Sequence, residues 1–285
     1  MNESNSQQGS GCQIFESHHI VDQTIFYTMN LDQFQNLVLD WTRESGELIL
    51  KYFRDPSLKV TKKKDASPVT QADRQAEQLL RKRISEHFPK HGIVGEEFDP
   101  VREEAEWTWL VDPIDGTKSF VAGVPLFGTV LCLQFHGKPV LGAIHLPALG
   151  GQLLVGDGNV ALLDAREVSV REPGPCGEWV VLTTDERDIL THRSEYGWNS
   201  LLKKVAYCRT WGDCYGYYLV ATGQADVMLD PIVNPWDFHG AIPIIQGAGG
   251  KITNWIGEDA AGSDSTVAAS PEIHSTVLSF LNHQI

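Results

Sequence analysis

Two aspartates, Asp112 and Asp115, stand three residues apart in WTWLVDPIDGTKSFVAGVPLF, the run from Trp107 to Phe127. Apolar residues lead up to them, Pro113 fixes the backbone between them, and Gly116-Thr117 follows at once. Bare carboxylates this close repel one another, and each is costly to take out of water unless a cation sits between them. A divalent metal meets both demands. Other carboxylates fall at the ends of expected elements: Glu96 and Glu97 after a short strand, Asp73 in the first turn of a helix, and Asp237 after Pro235-Trp236. Singly, Glu96-Glu97 reads as a solvated turn and Asp237 as a helix cap, but D-P-I-D-G-T has no evident structural need for both aspartates. Oxygen donors without His or Cys point to magnesium, which binds through carboxylates, water and substrate phosphate. If a helix begins at Gly116-Thr117, its outward amides form a phosphate cradle.

The elements that must position these groups follow from periodicity. Residues 1–30 are rich in Ser, Gln and Asn and read as a loose tail. Phe34, Leu37, Val38, Trp41, Leu48 and Tyr52 recur at helical spacing, predicting an amphipathic helix from Leu31 to about Phe53. Lys59 to Val69 (KVTKKKDASPV) is a basic hairpin or loop, and Thr70 caps a second helix that Pro89 and Gly92 stop. Runs at 129–135, 138–146 and 151–155 predict an antiparallel meander, and residues 156–178 a seam. Beyond it strands at 179–183, 205–210, 225–229, 251–255 and 266–269 alternate with helices at 194–204, 215–222, 236–246 and from Pro271. Periodicity alone thus predicts an α+β chain with a loose tail (1–30), an α+β sub-domain carrying most of the carboxylates (31–170), and an α/β sub-domain containing Asp237 (171–285).

Composition excludes more than it assigns. The net charge of −14 speaks against a nucleic-acid surface, which needs clustered Lys and Arg. Five cysteines, at 12, 132, 176, 208 and 214, form no CxxC pair, so neither a zinc site nor a disulfide framework is expected, and Cys132 and Cys208 read as buried thiols. No apolar run reaches the ~18 residues that span a membrane, and the polar start MNESNSQQGSG has neither signal nor basic transit character. A cytoplasmic protein without nucleic-acid or membrane partners is expected.

Taken together and in order, Gly95-Glu96-Glu97, Trp109-Leu110-Val111-Asp112-Pro113-Ile114-Asp115-Gly116-Thr117, Pro235-Trp236-Asp237 and Gly247-Ala248-Gly249-Gly250 carry a resemblance. Over roughly residues 31–285 the chain resembles the inositol monophosphatase superfamily of metal-dependent, lithium-sensitive phosphatases. The resemblance implies a layered αβαβα sandwich of the inositol monophosphatase / fructose-1,6-bisphosphatase type, two or three Mg2+ per site, and a homodimer. It implies that Glu96, Asp112 and the Ile114 carbonyl hold one ion, that Asp112, Asp115 and Asp237 hold a second, and that Asp73 with Glu96 helps hold a third. Gly116 and Thr117 would bind phosphate, and Thr117 with Glu96 would orient the attacking water. The segment with Lys62, Lys63 and Lys64 corresponds to a mobile loop near the family's site.

Substrate choice falls to Arg209, Thr210, Trp211, Gly212, Asp213, Cys214 and Tyr215, with Asp230 seven residues before Asp237. This run is similar to the histidinol-phosphatase branch, and Asp213 with Asp230 suits a leaving group that carries a cation. Trp211 would pack against an imidazole. The expected substrate is the small phosphate monoester L-histidinol phosphate. An inositol or broad sugar monophosphatase is the alternative, and a non-catalytic phosphoester-binding module a third reading.

Overall fold

A computed structural model describes residues 30–63 and 67–282, so the expected tail, apart from Asn30, and Lys64 lie outside the described residues. Helix α1 (Leu31–Tyr52) buries Phe34, Val38, Trp41 and Ile49, and the basic segment forms an antiparallel hairpin of β1 (Val60–Lys62) and β2 (Pro68–Thr70). Thr70 caps α2 (Gln71–His87), its hydroxyl accepting the Ala72 N–H while Asp73 returns a bond to the Thr70 N–H. Strand β3 (Gly92–Gly95) pairs parallel with β4 (Trp107–Asp115), and α3 (Thr117–Val121) follows. The meander then runs β5 (Gly128–Phe135), β6 (Lys138–Leu146), β7 (Gln152–Gly156), β8 (Ala161–Leu163) and β9 (Arg166–Glu167), all antiparallel, to complete a seven-stranded sheet. The stretch 156–178 is therefore more than a seam, because β8 and β9 extend the first sheet to Glu167.

The second half supplies β10 (Val180–Leu182), α4 (Glu186–His192), α5 (Glu195–Leu202), β11 (Tyr207–Arg209), α6 (Asp213–Ala221) and β12 (Val227–Asp230). It continues with α7 (Pro235–Phe238), α8 (Ala241–Gly247), β13 (Lys251–Thr253), β14 (Thr266–Ala269) and α9 (Pro271–Leu281). Its five strands are ordered β11-β10-β12-β14-β13, with the first three parallel and β14 antiparallel to both neighbours. Both faces of this sheet are covered. Val180, Leu182, Met228 and Ala268 face one core, while Val181, Val227, Leu229 and Val267 face another with Trp198, Ile273 and Val277. Helices α1 and α2 cover the outside of the first sheet, α6 and α8 lie between the sheets, and α5 and α9 cover the second. The layers are α, β, α, β, α, as the resemblance implied.

Trp109 locks the first layer to the sheet. Its ring lies 6.1, 5.6 and 5.7 Å from those of Phe34, Trp41 and Phe88, and its Nε1 donates to His91 Nδ1 at 3.1 Å. Three further sequence expectations needed revision. Glu186–His192 is a helix where none was read, and the helix expected over 236–246 is two, broken at His239-Gly240. Cys132 is buried, but Cys208 is only half-buried. The break falls four residues before Pro243, which has no N–H to donate to the His239 carbonyl. The α7–α8 turn lies directly on the sheet, where a Cβ on Gly142 of β6 would come within 1.9 Å of the Gly240 carbonyl oxygen. Gly142→Ala is expected to push α7 off the sheet and to lower unfolding free energy by about 1–3 kcal/mol in a denaturant titration; an unchanged midpoint would refute that contact.

Candidate active site

Strand β4 pairs with β5 so that Asp112 faces Val130 but Asp115 faces Gly128, three steps on one strand against two on the other. The extra residue is a β-bulge at Pro113-Ile114. In an unbroken strand, residues three apart point to opposite faces; the bulge brings Asp115 round to the side of Asp112. Pro113 has no N–H to leave unpaired there, and its carbonyl accepts Thr129 Oγ1 at 2.9 Å. Asp112 Oδ1 accepts the Ile114 N–H at 2.9 Å, and the Ile114 side chain enters the apolar cluster of Ile49, Ala76, Phe120 and Phe127.

Asp237, third residue of α7, completes the group: one carboxylate oxygen from each of Asp112, Asp115 and Asp237 lies within 4.8 Å of the others. Asn234 fixes Asp237 through its N–H and side-chain amide at 3.1 and 3.2 Å. Asp115 Oδ2 accepts the Cys214 N–H at the start of α6. Asp73, fully buried on α2, has Oδ1 3.3 Å from Thr117 Oγ1, which also lies 3.0 Å from the Ile114 carbonyl. Glu96 lines the same cavity but is not in that 4.8 Å group, and Lys63 Nζ bridges it and Glu97 at 2.5 and 2.6 Å. Of the lysine run, Lys63 is thus the member seen to reach the site.

A cavity of about 250 Å³ is lined by Glu96, Asp112, Asp115, Gly116, Thr117, Asp213 and Asp237. A smaller one shares Asp115, Asp185, Asp213 and Asp237 with it and adds Asp188, Tyr217 and Asp230. Arg209, Trp211 and Gly212, expected at the substrate, line neither cavity. The Arg209 guanidinium stacks 4.9 Å from the Tyr207 ring and 6.0 Å from that of exposed Trp211, and it makes no ion pair with Asp213 among the described residues. Gly212 serves packing, since a Cβ there would meet Thr184 Cα at 2.3 Å. Asp185 and Asp188 were missed because α4 was missed, although T-D-E-R-D after a strand is a helix-start signal.

The electrostatics are those of crowded, buried carboxylates. Burial, then Glu96 and Asp115, pushes Asp112 well up; burial, then Asp213 and Asp237, does the same to Asp115. Burial and Glu96 hold Asp237 at about 7, and burial with Asp230 holds Asp213 at about 7. Burial also raises Asp73 and takes Glu97 to about 7. Burial works against the Lys63 ammonium, yet its bonds to the two glutamates raise it. A converging all-oxygen donor set that resists holding its own charge fits a hard divalent cation such as magnesium.

The inositol monophosphatase family matches residues 30–284. The chain belongs to that family. It is similar to the histidinol-phosphatase of Chlorobaculum parvum, 40% identical over 79% of this chain and 86% of the relative. It is also similar to a fructose-1,6-bisphosphatase/inositol-1-monophosphatase of Thermotoga maritima, 30% identical over 76% of this chain and 83% of the relative. The extragenic suppressor protein suhB of Bartonella henselae superposes with a TM-score of 0.82 at 25% identity, covering 88% of this chain and 99% of that one. The fold and the phosphatase class follow from these likenesses. Among the described residues, no helix is long and apolar enough to cross a membrane.

A pH dependence follows from the raised carboxylates. With Asp213 and Asp237 at about 7 rather than 3.8, the native state binds protons more tightly than the unfolded chain. Their contribution is full below the ordinary value and is lost as pH rises through about 7. Buried His145 and His239, lowered to about 4, act oppositely, but only below 6.5. The melting temperature of the metal-free protein should therefore fall between about pH 6.5 and about pH 8, and excess Mg2+ should cancel the fall. A flat or rising metal-free profile in a calorimetric scan would contradict this account.

Proposed function

We propose that the chain is a magnesium-dependent phosphatase that converts L-histidinol phosphate to L-histidinol and phosphate, a step of histidine biosynthesis. The carrying observation is the carboxylate wall beyond the metal group, formed by Asp213, Asp230 and Asp188. Asp230 is satisfied by the Thr184 N–H at 3.1 Å and the Tyr217 hydroxyl at 2.9 Å. The Asp213 carboxylate accepts no hydrogen bond among the described residues, with the Lys118 ammonium as the charge that favours its ionised form, and the residue is held with a φ of 51°, a left-handed backbone that Asp tolerates better than most residues. An ammonium entering this pocket would pair with a carboxylate that burial otherwise disfavours. Histidinol offers a primary amine and an imidazole, whereas inositol and sugars offer only hydroxyls. The name of the Chlorobaculum relative supports this reading; that of the Thermotoga relative favours an inositol or sugar ester, whose hydroxyls Asp230 suits.

In this reading Asp112, with Glu96 and the Ile114 carbonyl, would hold one ion; Asp112, Asp115 and Asp237 would hold a second; and Asp73 with Glu96 would serve a third. Bound magnesium would supply positive charge for the ester phosphate, the attacking water and the departing alkoxide. The chain contributes position. The Thr117 hydroxyl gives its single proton to Asp73 or to the Ile114 carbonyl, so its lone pairs stay available to accept from a water and aim it at phosphorus. Gly116, with a φ of 94°, turns the backbone from β4 into α3, and a Cβ there would crowd the Leu126 carbonyl at 3.0 Å and Asp213 Oδ2 at 3.1 Å.

Asp112→Asn should lower turnover of every phosphate ester at least ~100-fold and weaken Mg2+ binding in calorimetry; near-normal turnover would sink the metal roles. Side by side, kcat/KM for histidinol phosphate should exceed that for inositol 1-phosphate, and the reverse order would transfer the assignment to the inositol reading. Asp213→Asn should cost roughly 10- to 100-fold on histidinol phosphate, with a change under about 3-fold on a neutral sugar phosphate. Equal losses would remove Asp213 from the specificity pocket. Ester binding without phosphate release would leave only a binding module.

A further inference from the structure

Helix α2 presents two fully buried carboxylates one turn apart, Asp73 and Glu77. The first meets Thr117. The second is not among the groups assigned to metal, phosphate or substrate, and it lies under the Gly95-Glu96-Glu97 turn. Glu77 Oε2 accepts the Glu97 N–H at 2.7 Å, and Oε1 accepts Arg81 Nε at 2.7 Å. Arg81 spends its remaining nitrogens on the same loop, donating to the Phe98 carbonyl at 2.9 Å and the Asp99 carbonyl at 3.1 Å. On its other side Glu96 is pinned by its own N–H to the Val111 carbonyl at 3.2 Å. Glycine at 95 is the condition for this arrangement, because a Cβ there would lie 2.1 Å from Glu77 Oε1.

We propose that Glu77, clamped by Arg81, is a positioning residue that fixes the direction in which Glu96 enters the metal site. A buried ion pair is a poor way to fill space, and an apolar pair of similar volume often serves stability as well or better. What Glu77 and Arg81 add is direction: three hydrogen bonds from one helix to the Glu97 amide and the Phe98 and Asp99 carbonyls set the path of residues 96–99. Glu96 lies between two fixed points, the Val111 carbonyl and the Glu97 amide, so its main chain is set before any cation arrives, while Lys63 Nζ holds its carboxylate at 2.5 Å. Partners that orient a metal-binding side chain without touching the ion typically matter 10- to 100-fold in affinity. The inference rests on the metal-site reading and is independent of the substrate.

Mg2+ titration calorimetry on the full chain, with Glu77→Gln, Glu96→Gln and the double variant, tests it. Glu77→Gln should weaken magnesium binding about 10-fold. It should raise the half-saturating magnesium concentration in turnover, while kcat at saturating magnesium changes less than about 3-fold. In the double variant the loss should exceed that of Glu96→Gln by no more than about 2-fold, since Glu77 acts through Glu96. A lowered melting temperature with wild-type magnesium affinity would overturn the proposal, as would fully additive losses. If Glu77→Gln does not fold, Glu77→Asp, which keeps the charge and shortens the reach, takes its place in the same titrations with the same criteria. Failure of the wild-type protein to bind magnesium would instead defeat the metal reading, and this inference with it.

Discussion

Like charges in a dry place must be held together by something other than their own preference. Asp112, Asp115 and Asp237 converge within 4.8 Å in a region where burial and mutual repulsion disfavour their charged forms. The chain answers with backbone amides. Asp112 accepts from Ile114, Asp115 from Cys214, Asp237 from Asn234, Asp73 from Thr70, and Glu77 from Glu97. Each carboxylate has one oxygen committed to a peptide N–H, which stabilises its charge and fixes its rotamer. For Asp112, Asp73 and Asp237 the amide lies two or three residues away, so the orientation is set within a single turn. Asp115 and Glu77 take their amides from distant segments, and the Asp115 bond ties β4 to α6.

The layers exist to deliver these turns to one place. The bulge at Pro113-Ile114 turns β4 so that two aspartates share a side. Helix α2 is seated by Phe88 on Trp109, which puts Asp73 over Thr117. The short α7 reaches the site because Gly142 and Gly240 let its exit turn lie on the first sheet without side chains between. Removing any one of these contacts leaves the fold recognisable but misplaces a ligand, and a displacement of about 1 Å is enough to matter in a preorganised site.

What was legible in the sequence follows the same division. The metal half could be read because its devices are local: Thr70 with Asp73, the proline between Asp112 and Asp115, and Asn234 with Asp237 are short motifs with a physical reason. The bulge itself was not legible, since it is a matter of which residue of β5 lies opposite. Nor was Glu77, which looks like any helical glutamate until the Glu97 amide is found beside it. Helix α6 is buried on nearly all sides and lacks an amphipathic rhythm, so only its later residues, from Tyr215, were read as helix. Arg209 and Trp211 drew attention as bulky residues in an informative run, but β11 is an edge strand, and their side chains stack on its exposed face.

The pocket beyond the metals is built differently, and the difference bears on how specificity and catalysis are linked. Asp213 is the first residue of α6, and the very next amide, that of Cys214, holds Asp115. The left-handed backbone at Asp213 sets both the direction of its carboxylate and the direction of that amide. In the proposed reading, a group facing the leaving group is thus one peptide unit away from a group holding a metal ligand. Substitutions that keep this backbone, such as Asn, can alter substrate preference alone. Those that relax it, such as a β-branched residue that avoids the left-handed region, would disturb Asp115 as well. If Asp213 and Asp115 hold the roles proposed for them, substrate choice is constrained by metal binding through main-chain geometry, and the two cannot vary with full independence.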